Sequence, residues 1–153
     1  GGPEIERLAK TGKYIELPYV VKGMDLSFAG IQTAAIKLLK EGASKEDVSH
    51  SLQETCFAML SEVTERALAH TGKNEVLLVG GVAANKRLQE MLKTMCGDRS
   101  AKFHVVPQEY AADNGAMIAW VGLLAYTSGW EPDFKDKIMP RWRTDDVEIT
   151  WFK

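Results

Sequence analysis

Apolar positions fall into helical stripes along much of the chain. Ile31, Ala34, Ala35, Leu38 and Leu39 recur at i, i+3, i+4, i+7 and i+8, the spacing that gathers side chains on one face of an α-helix, with Ser27 as its expected cap. Ser44 and Asp47 form a capping box built with the shorter acid. Beyond it Val48, Leu52, Cys56, Met59, Val63 and Ala67 keep the helical period as far as Gly72, which predicts a helix about 40 Å long. Near the start, Pro3 with Glu4 and Glu6 suits a helix N-terminus, because proline fits the first turn and acids favour its positive end. Ile5, Leu8 and Ala9 supply that helix's inner face and Gly12 ends it. The stretch "KYIELPYVVKGM" reads as extended, with Pro18 confining it to an edge strand or an irregular crossing.

The pattern changes at residues 75 to 89, "EVLLVGGVAANKRLQ". A buried strand over Val76 to Val79 ends in two glycines, and a helix follows from about Ala83 to Met95 with Leu88, Met91, Leu92 and Met95 on one side. "KFHVVP" is a second short strand, and "AADNGAMIAWVGLLAYTSGW" is a helix apolar nearly all round, hence expected to lie buried between layers. Strand, helix, strand, helix is the βαβ pattern, which implies a parallel sheet with a right-handed crossover. The expected class is α/β, with residues 130–153 an irregular tail wrapping the core.

Composition narrows the function. At 153 residues the chain fits one domain. Its net charge of −2 supplies no general attraction to nucleic acid, so any RNA contact is local or shared with a partner. No apolar segment approaches the roughly 20 residues needed to span a bilayer. Cys56 and Cys96 stand apart from any CxxC, which fits buried free thiols in a reducing cytoplasm better than a metal or disulfide framework. The opening "GGPEIERLAK" has no initiator Met and no signal-like region, and the chain is expected to be a piece of something longer.

Two corners carry candidate chemistry. In open parallel sheets ligands bind beyond the carboxyl ends of strands, where helix N-termini present unpaired N–H groups. Gly80 and Gly81 lack the Cβ atoms that would hold a phosphate or ribose away, and Asn85 offers an amide. The competing reading has the glycines permitting close helix–strand packing and Asn85 acting as a local cap. After the second strand, Asp113 is either the N-cap of the apolar helix or a carboxylate metal ligand. His50, His70 and His104 show no metal-binding spacing, and there is no G-x-S-x-G nucleophile motif. His70, in the last turn of its helix, faces the negative end. "PRWR" at 140 to 143 offers phosphate contacts, but the acids that follow favour a solvated surface.

In this order, "GGPEIERLA", "KGMDLSFAG", "GGVAAN", "DNGAMIAW" and "PRWR" resemble the C-terminal half of the universal tRNA threonylcarbamoyladenosine synthase family. The tail is most similar to the archaeal and eukaryotic branch, the catalytic subunit of the KEOPS complex. The resemblance implies one lobe of the actin, Hsp70 and sugar-kinase superfamily fold, a mixed sheet flanked by helices. It implies transfer of threonylcarbamoyl from threonylcarbamoyl-AMP to the N6 amino group of the adenosine 3′ of the anticodon in tRNAs reading ANN codons. Matched by position, it makes Gly2 a backbone contact and Glu6 a ribose-hydroxyl acceptor for the adenylate, makes Asn85 of "GGVAAN" a further nucleotide contact, and makes Asp113 a ligand of iron or zinc.

The resemblance also places the metal's histidine pair in an upstream lobe, so this chain holds one wall of the site and is expected to be inactive alone. No catalytic residue beyond the metal ligand is assigned. The implied partners are tRNA, the N-terminal lobe of the same protein and KEOPS subunits that include a small kinase-like ATPase. Ala29 stands where many relatives have a serine in "SFSG", which weakens any role for that hydroxyl. Two other classes remain, an ATP-using phosphotransferase of the same fold and a non-catalytic nucleotide-binding scaffold.

Overall fold

A computed structural model describes residues 1–111, 114–131, 139–143 and 146–152. The chain divides into two units, Gly1–Ala112 and Asp113–Lys153. The first contains α1 (Gly2–Ala9), a short antiparallel hairpin of β1 (Val21–Lys22) and β2 (Asp25–Leu26), α2 (Ile31–Lys40) and α3 (Lys45–Thr71). It continues through β3 (Glu75–Leu78), α4 (Lys86–Asp98) and β4 (Lys102–Val105). The second unit contains α5 (Gly115–Thr127). The class is α/β, as the sequence predicts, with one parallel and one antiparallel strand pair among the described residues.

Helix α3 organises the first unit. Ser44 caps it by accepting the Asp47 N–H at 3.0 Å, and Gly72 ends it in the left-handed conformation at φ 63°. The Asp47 carboxylate does not complete a capping box; it reaches across to accept the Lys13 N–H at 2.6 Å. The backbone hydrogen bond from Lys13, with help from Ser44, holds the Asp47 carboxyl below its ordinary range. His50 ties the same helix to α1, with Nδ1 2.9 Å from the Ala9 carbonyl oxygen. Gly12 permits this close approach: a Cβ there would stand 2.1 Å from the Glu46 carbonyl oxygen.

Two apolar clusters flank α3. Phe57 and Leu68 meet Leu88, Leu92, Met95 and Cys96 of α4, with Val76, Leu78 and Phe103 of the parallel pair packed against them. Met59 meets Ile31 of α2 and Leu17 of the extended segment. Partners on several sides explain why α3 buries Ser49, Ser51, Gln53 and Thr55 as well as its apolar stripe. The β3–β4 register pairs Val76 with Phe103 and Leu78 with Val105, the predicted βαβ unit.

Two expectations are corrected. Helix α2 is capped by Gly30 at φ 83° with no side-chain bond, while Ser27 Oγ accepts the Ala29 N–H at 3.2 Å in a local turn. A left-handed glycine lets the chain enter the helix three residues later than Ser27 would. Helix α5, predicted to be buried, has no buried residue; Ile118 is 74% exposed and Trp120 59%. Apolar character does not bury a helix unless partners surround it, and the described remainder of its own unit is a few short irregular stretches, one of them joined to the helix end by a Ser128–Thr150 hydroxyl contact at 2.6 Å. No helix among the described residues is long and apolar enough to cross a membrane.

Candidate functional site

The glycine corner after β3 is shaped by backbone conformation. Gly80 takes φ 91°, a region that L side chains rarely adopt, and a 3₁₀ turn over Gly81–Ala84 follows. Among the described residues, chain neighbours aside, no atom lies within 4 Å of where a Cβ would stand on Gly80 or Gly81, so close helix–strand packing is not what these glycines serve. Gly80 turns the chain, and Gly81 leaves open space.

That space is a cavity of about 470 Å³ between α1, α3 and the 3₁₀ turn, within the range of about 300–1,000 Å³ usual for small-molecule sites. It brings together four of the sequence-predicted residues, Gly2, Glu6, Gly81 and Asn85, with Gly80 standing just outside the lining. Ile5, Leu52, Phe57 and Val82 supply apolar walls, and Gln53 and Cys56 complete the α3 side. Among the described residues beyond its own helix backbone and chain neighbours, Gly2, like Gly81, has nothing within 4 Å of a would-be Cβ.

Helix α4 begins at Asn85, whose Oδ1 accepts the Leu88 N–H at 3.2 Å. The cap and the cavity residue are therefore one side chain. Glu6 reaches over from α1, and its Oε1 accepts the Lys86 N–H at 3.0 Å. The unpaired N–H groups expected at this helix start are thus largely satisfied by the protein's own acceptors, a second correction to the corner read from sequence. Both residues line the cavity, and the groups they still offer a ligand are the other Glu6 oxygen and the Asn85 amide nitrogen, which donates to Gln53 Oε1 at 3.1 Å and keeps a second hydrogen.

Beside this pair, one residue further along α3 and two beyond Asn85, Arg87 clasps Glu54 with two bonds of 2.7 Å. The guanidinium holds the Glu54 carboxyl below the usual carboxylate range against an opposing desolvation effect. This clasp fixes α4 on α3 and so fixes Asn85 over Gln53. Burial pushes both thiols up; Cys96 is buried as expected, whereas Cys56 is half-buried at the cavity wall. Neither is activated as a catalytic nucleophile, although the half-buried Cys56 stays within reach of a small alkylating reagent.

Asp113 lies outside the described residues. The N-cap of α5 is its neighbour Asn114, whose Oδ1 accepts the Ala116 N–H at 2.9 Å. Among the described residues no group of three or more His, Cys, Asp or Glu side chains is placed to hold a metal. Arg141, Trp142 and Arg143 of "PRWR" are exposed.

Sequence reasoning did not single out Gln53 or Phe57. Their signal is a second stripe on α3, Ser49, Gln53 and Phe57 at intervals of four, which its polar members conceal.

Comparison with known proteins places the chain in a family. The family model described as TsaD, tRNA N6-adenosine threonylcarbamoyltransferase, matches residues 1–120. The Archaeoglobus fulgidus protein named tRNA N6-adenosine threonylcarbamoyltransferase is 63% identical over 99% of this chain and 47% of its own length. A probable bifunctional tRNA threonylcarbamoyladenosine biosynthesis protein of Methanocaldococcus jannaschii is 56% identical over all of this chain and 29% of its own length. The chain thus spans about half, or less, of these relatives. Among solved structures, T. kodakarensis HypF superposes with a TM-score of 0.62 at 24% identity, covering 84% of this chain and 17% of that one, a likeness of fold alone. With most of its length matched by the family model, the chain belongs to the tRNA N6-adenosine threonylcarbamoyltransferase (TsaD) family.

Proposed function

We propose that this chain supplies the adenylate-binding wall of a tRNA N6-adenosine threonylcarbamoyltransferase. The enzyme passes threonylcarbamoyl from threonylcarbamoyl-AMP to the N6 amine of the adenosine 3′ of the anticodon in tRNAs reading ANN codons. The observation that carries this reading is the convergence of Gly2, Glu6, Gly81 and Asn85 on one cavity with apolar walls. The apolar side suits a purine, the free Glu6 oxygen suits a ribose hydroxyl, and the bare glycines let the nucleotide approach the backbone.

In this reaction the amine nitrogen bonds to the carbamoyl carbon, the bond from that carbon to the phosphate oxygen breaks, and the amine loses a proton. AMP leaves with its electron pair, so no enzyme nucleophile is required. The chain's own residues bind and orient. An iron or zinc ion held by Asp113 and imidazoles of an upstream lobe would polarise the carbonyl as a Lewis acid. The described residues do not form its donor set. Transfer RNA, the upstream lobe and KEOPS subunits with a small kinase-like ATPase are the proposed partners, in the cytoplasm.

A phosphotransferase using the same corner for ATP would set its polyphosphate on the α4 N-terminus. Glu6 and Asn85 already occupy the Lys86 and Leu88 N–H groups there, which favours the adenylate reading. The test is threonylcarbamoyl incorporation into tRNA by the full-length protein. Glu6→Ala and Asn85→Ala are each expected to lower it about tenfold or more, the cost of one lost charged or polar ligand contact; wild-type rates in both contradict the proposal.

A further inference from the structure

We infer that Gln53 is a positioning residue for the adenylate, acting through Asn85. The inference rests on the adenylate reading above and deepens it by naming the group that sets which end of the Asn85 amide meets the ligand.

The orientation follows from the hydrogen bonds. A backbone N–H only donates, so the atom of Asn85 facing Leu88 N at 3.2 Å is its oxygen. The amide nitrogen therefore points the other way, where it donates to Gln53 Oε1 at 3.1 Å. Gln53 is 8% exposed and sits about a third of the way along α3, a rigid platform held to α4 by the adjoining Glu54–Arg87 clasp. One hydrogen of the Asn85 amide is thereby committed to Gln53, and the second is left for the cavity that both residues line.

The consequence is a directional site. Asn85 presents a donor, whereas Glu6 presents its free carboxylate oxygen as an acceptor. The ligand must offer an acceptor atom to the first, such as a ring nitrogen or a sugar or phosphate oxygen, and a hydroxyl to the second. A nucleotide has both. Without Gln53 the Asn85 amide keeps its cap but loses the contact that holds its plane, so its second hydrogen is no longer aimed.

The test is calorimetric titration of AMP into the full-length protein. Gln53→Met, close in volume and unable to hydrogen-bond strongly, is expected to weaken binding about tenfold, the scale of one buried hydrogen bond. In an Asn85→Ala background the same substitution is expected to change affinity by less than about twofold, because a residue that works through another has nothing left to position. Equal losses in both backgrounds, or none in either, overturn the inference. Glu6→Gln separates the two levels: if it weakens AMP and Gln53→Met does not, only the role of Gln53 falls. If neither weakens AMP, the adenylate reading falls and takes the inference with it. Independently of any variant's folding, AMP should shift the side-chain amide resonance of Asn85 in the wild-type protein, and an unmoved resonance at saturation overturns the inference.

Discussion

Helices α4 and α5 have the same length, 13 residues each, and opposite fates. Helix α4 carries Lys86, Arg87, Glu90, Lys93 and Asp98, yet it buries Leu88, Leu92, Met95 and Cys96. Helix α5 carries no Asp, Glu, Lys, Arg or His and buries nothing. Burial follows the supply of partners rather than hydrophobicity. The apolar stripe of α4 finds α3, β3 and β4, and its polar face meets water. Helix α5 would need cover on several sides, which the described residues of its own unit do not give.

Substitutions of like kind in the two helices should sharpen this contrast most. Leu92, 3% exposed in the α4 cluster, should cost about 2–5 kcal/mol when changed to Ala, as transfer and cavity terms add. Ile118→Ala should fall within about 0.5 kcal/mol, as exposed positions do. Urea unfolding measures both, and equal costs would break the comparison.

The same contrast explains what the sequence disclosed. Elements whose partners lie close along the chain were legible: the α3 stripe to Gly72, the Ser44 cap, and the βαβ pattern from β3 to β4. Ser27 misled because a left-handed glycine, Gly30, displaces the start of α2, and residue type alone does not report φ. The cavity was legible as residues but not as a mechanism. Asn85 and Glu6 were readable through resemblance, whereas the trans-cap from Glu6 to Lys86 joins positions 80 apart, and no local pattern encodes it. Gln53 was not legible because a polar side chain on a long helix reads as solvated until a distant element such as the Asn85 turn closes over it.

A smaller effect is expected from Gly12→Ala, again on the well-partnered side. Its Cβ would meet the backbone of Glu46 and the Cβ of His50, so α1 must move off α3 at about 1–3 kcal/mol. Because Gly2 and Glu6 ride on α1, the variant should also bind AMP more weakly at temperatures where it stays folded. A lowered melting temperature with unchanged AMP affinity would show that the α1 placement is not needed for the site.

The smallest effect is on pH dependence. The Glu54 carboxyl is held below its ordinary range, first by hydrogen bonding to Arg87. A depressed carboxylate stabilises the fold at pH above its unfolded value, and that contribution fades as pH falls through the depressed folded value. Acid should therefore lower protection from hydrogen exchange, relative to neutral pH, more in α4 than in α5, which has no carboxylate to protonate. Hydrogen exchange of the two helices between neutral pH and the acid side of the carboxylate range should show this difference. Glu54→Gln should already lack the acid-sensitive part at neutral pH.

The central claim is that α1, α3 and the 3₁₀ turn enclose one adenylate cavity, and Cys56 offers a direct probe of it. This thiol is half-buried at the cavity wall, while Cys96 is 1% exposed in the α4 core. Peptide mass spectrometry can follow their alkylation in the full-length protein with and without saturating AMP. The account predicts that AMP slows modification of Cys56 several-fold and leaves Cys96 unreactive throughout. An unchanged Cys56 rate at saturating AMP would contradict it.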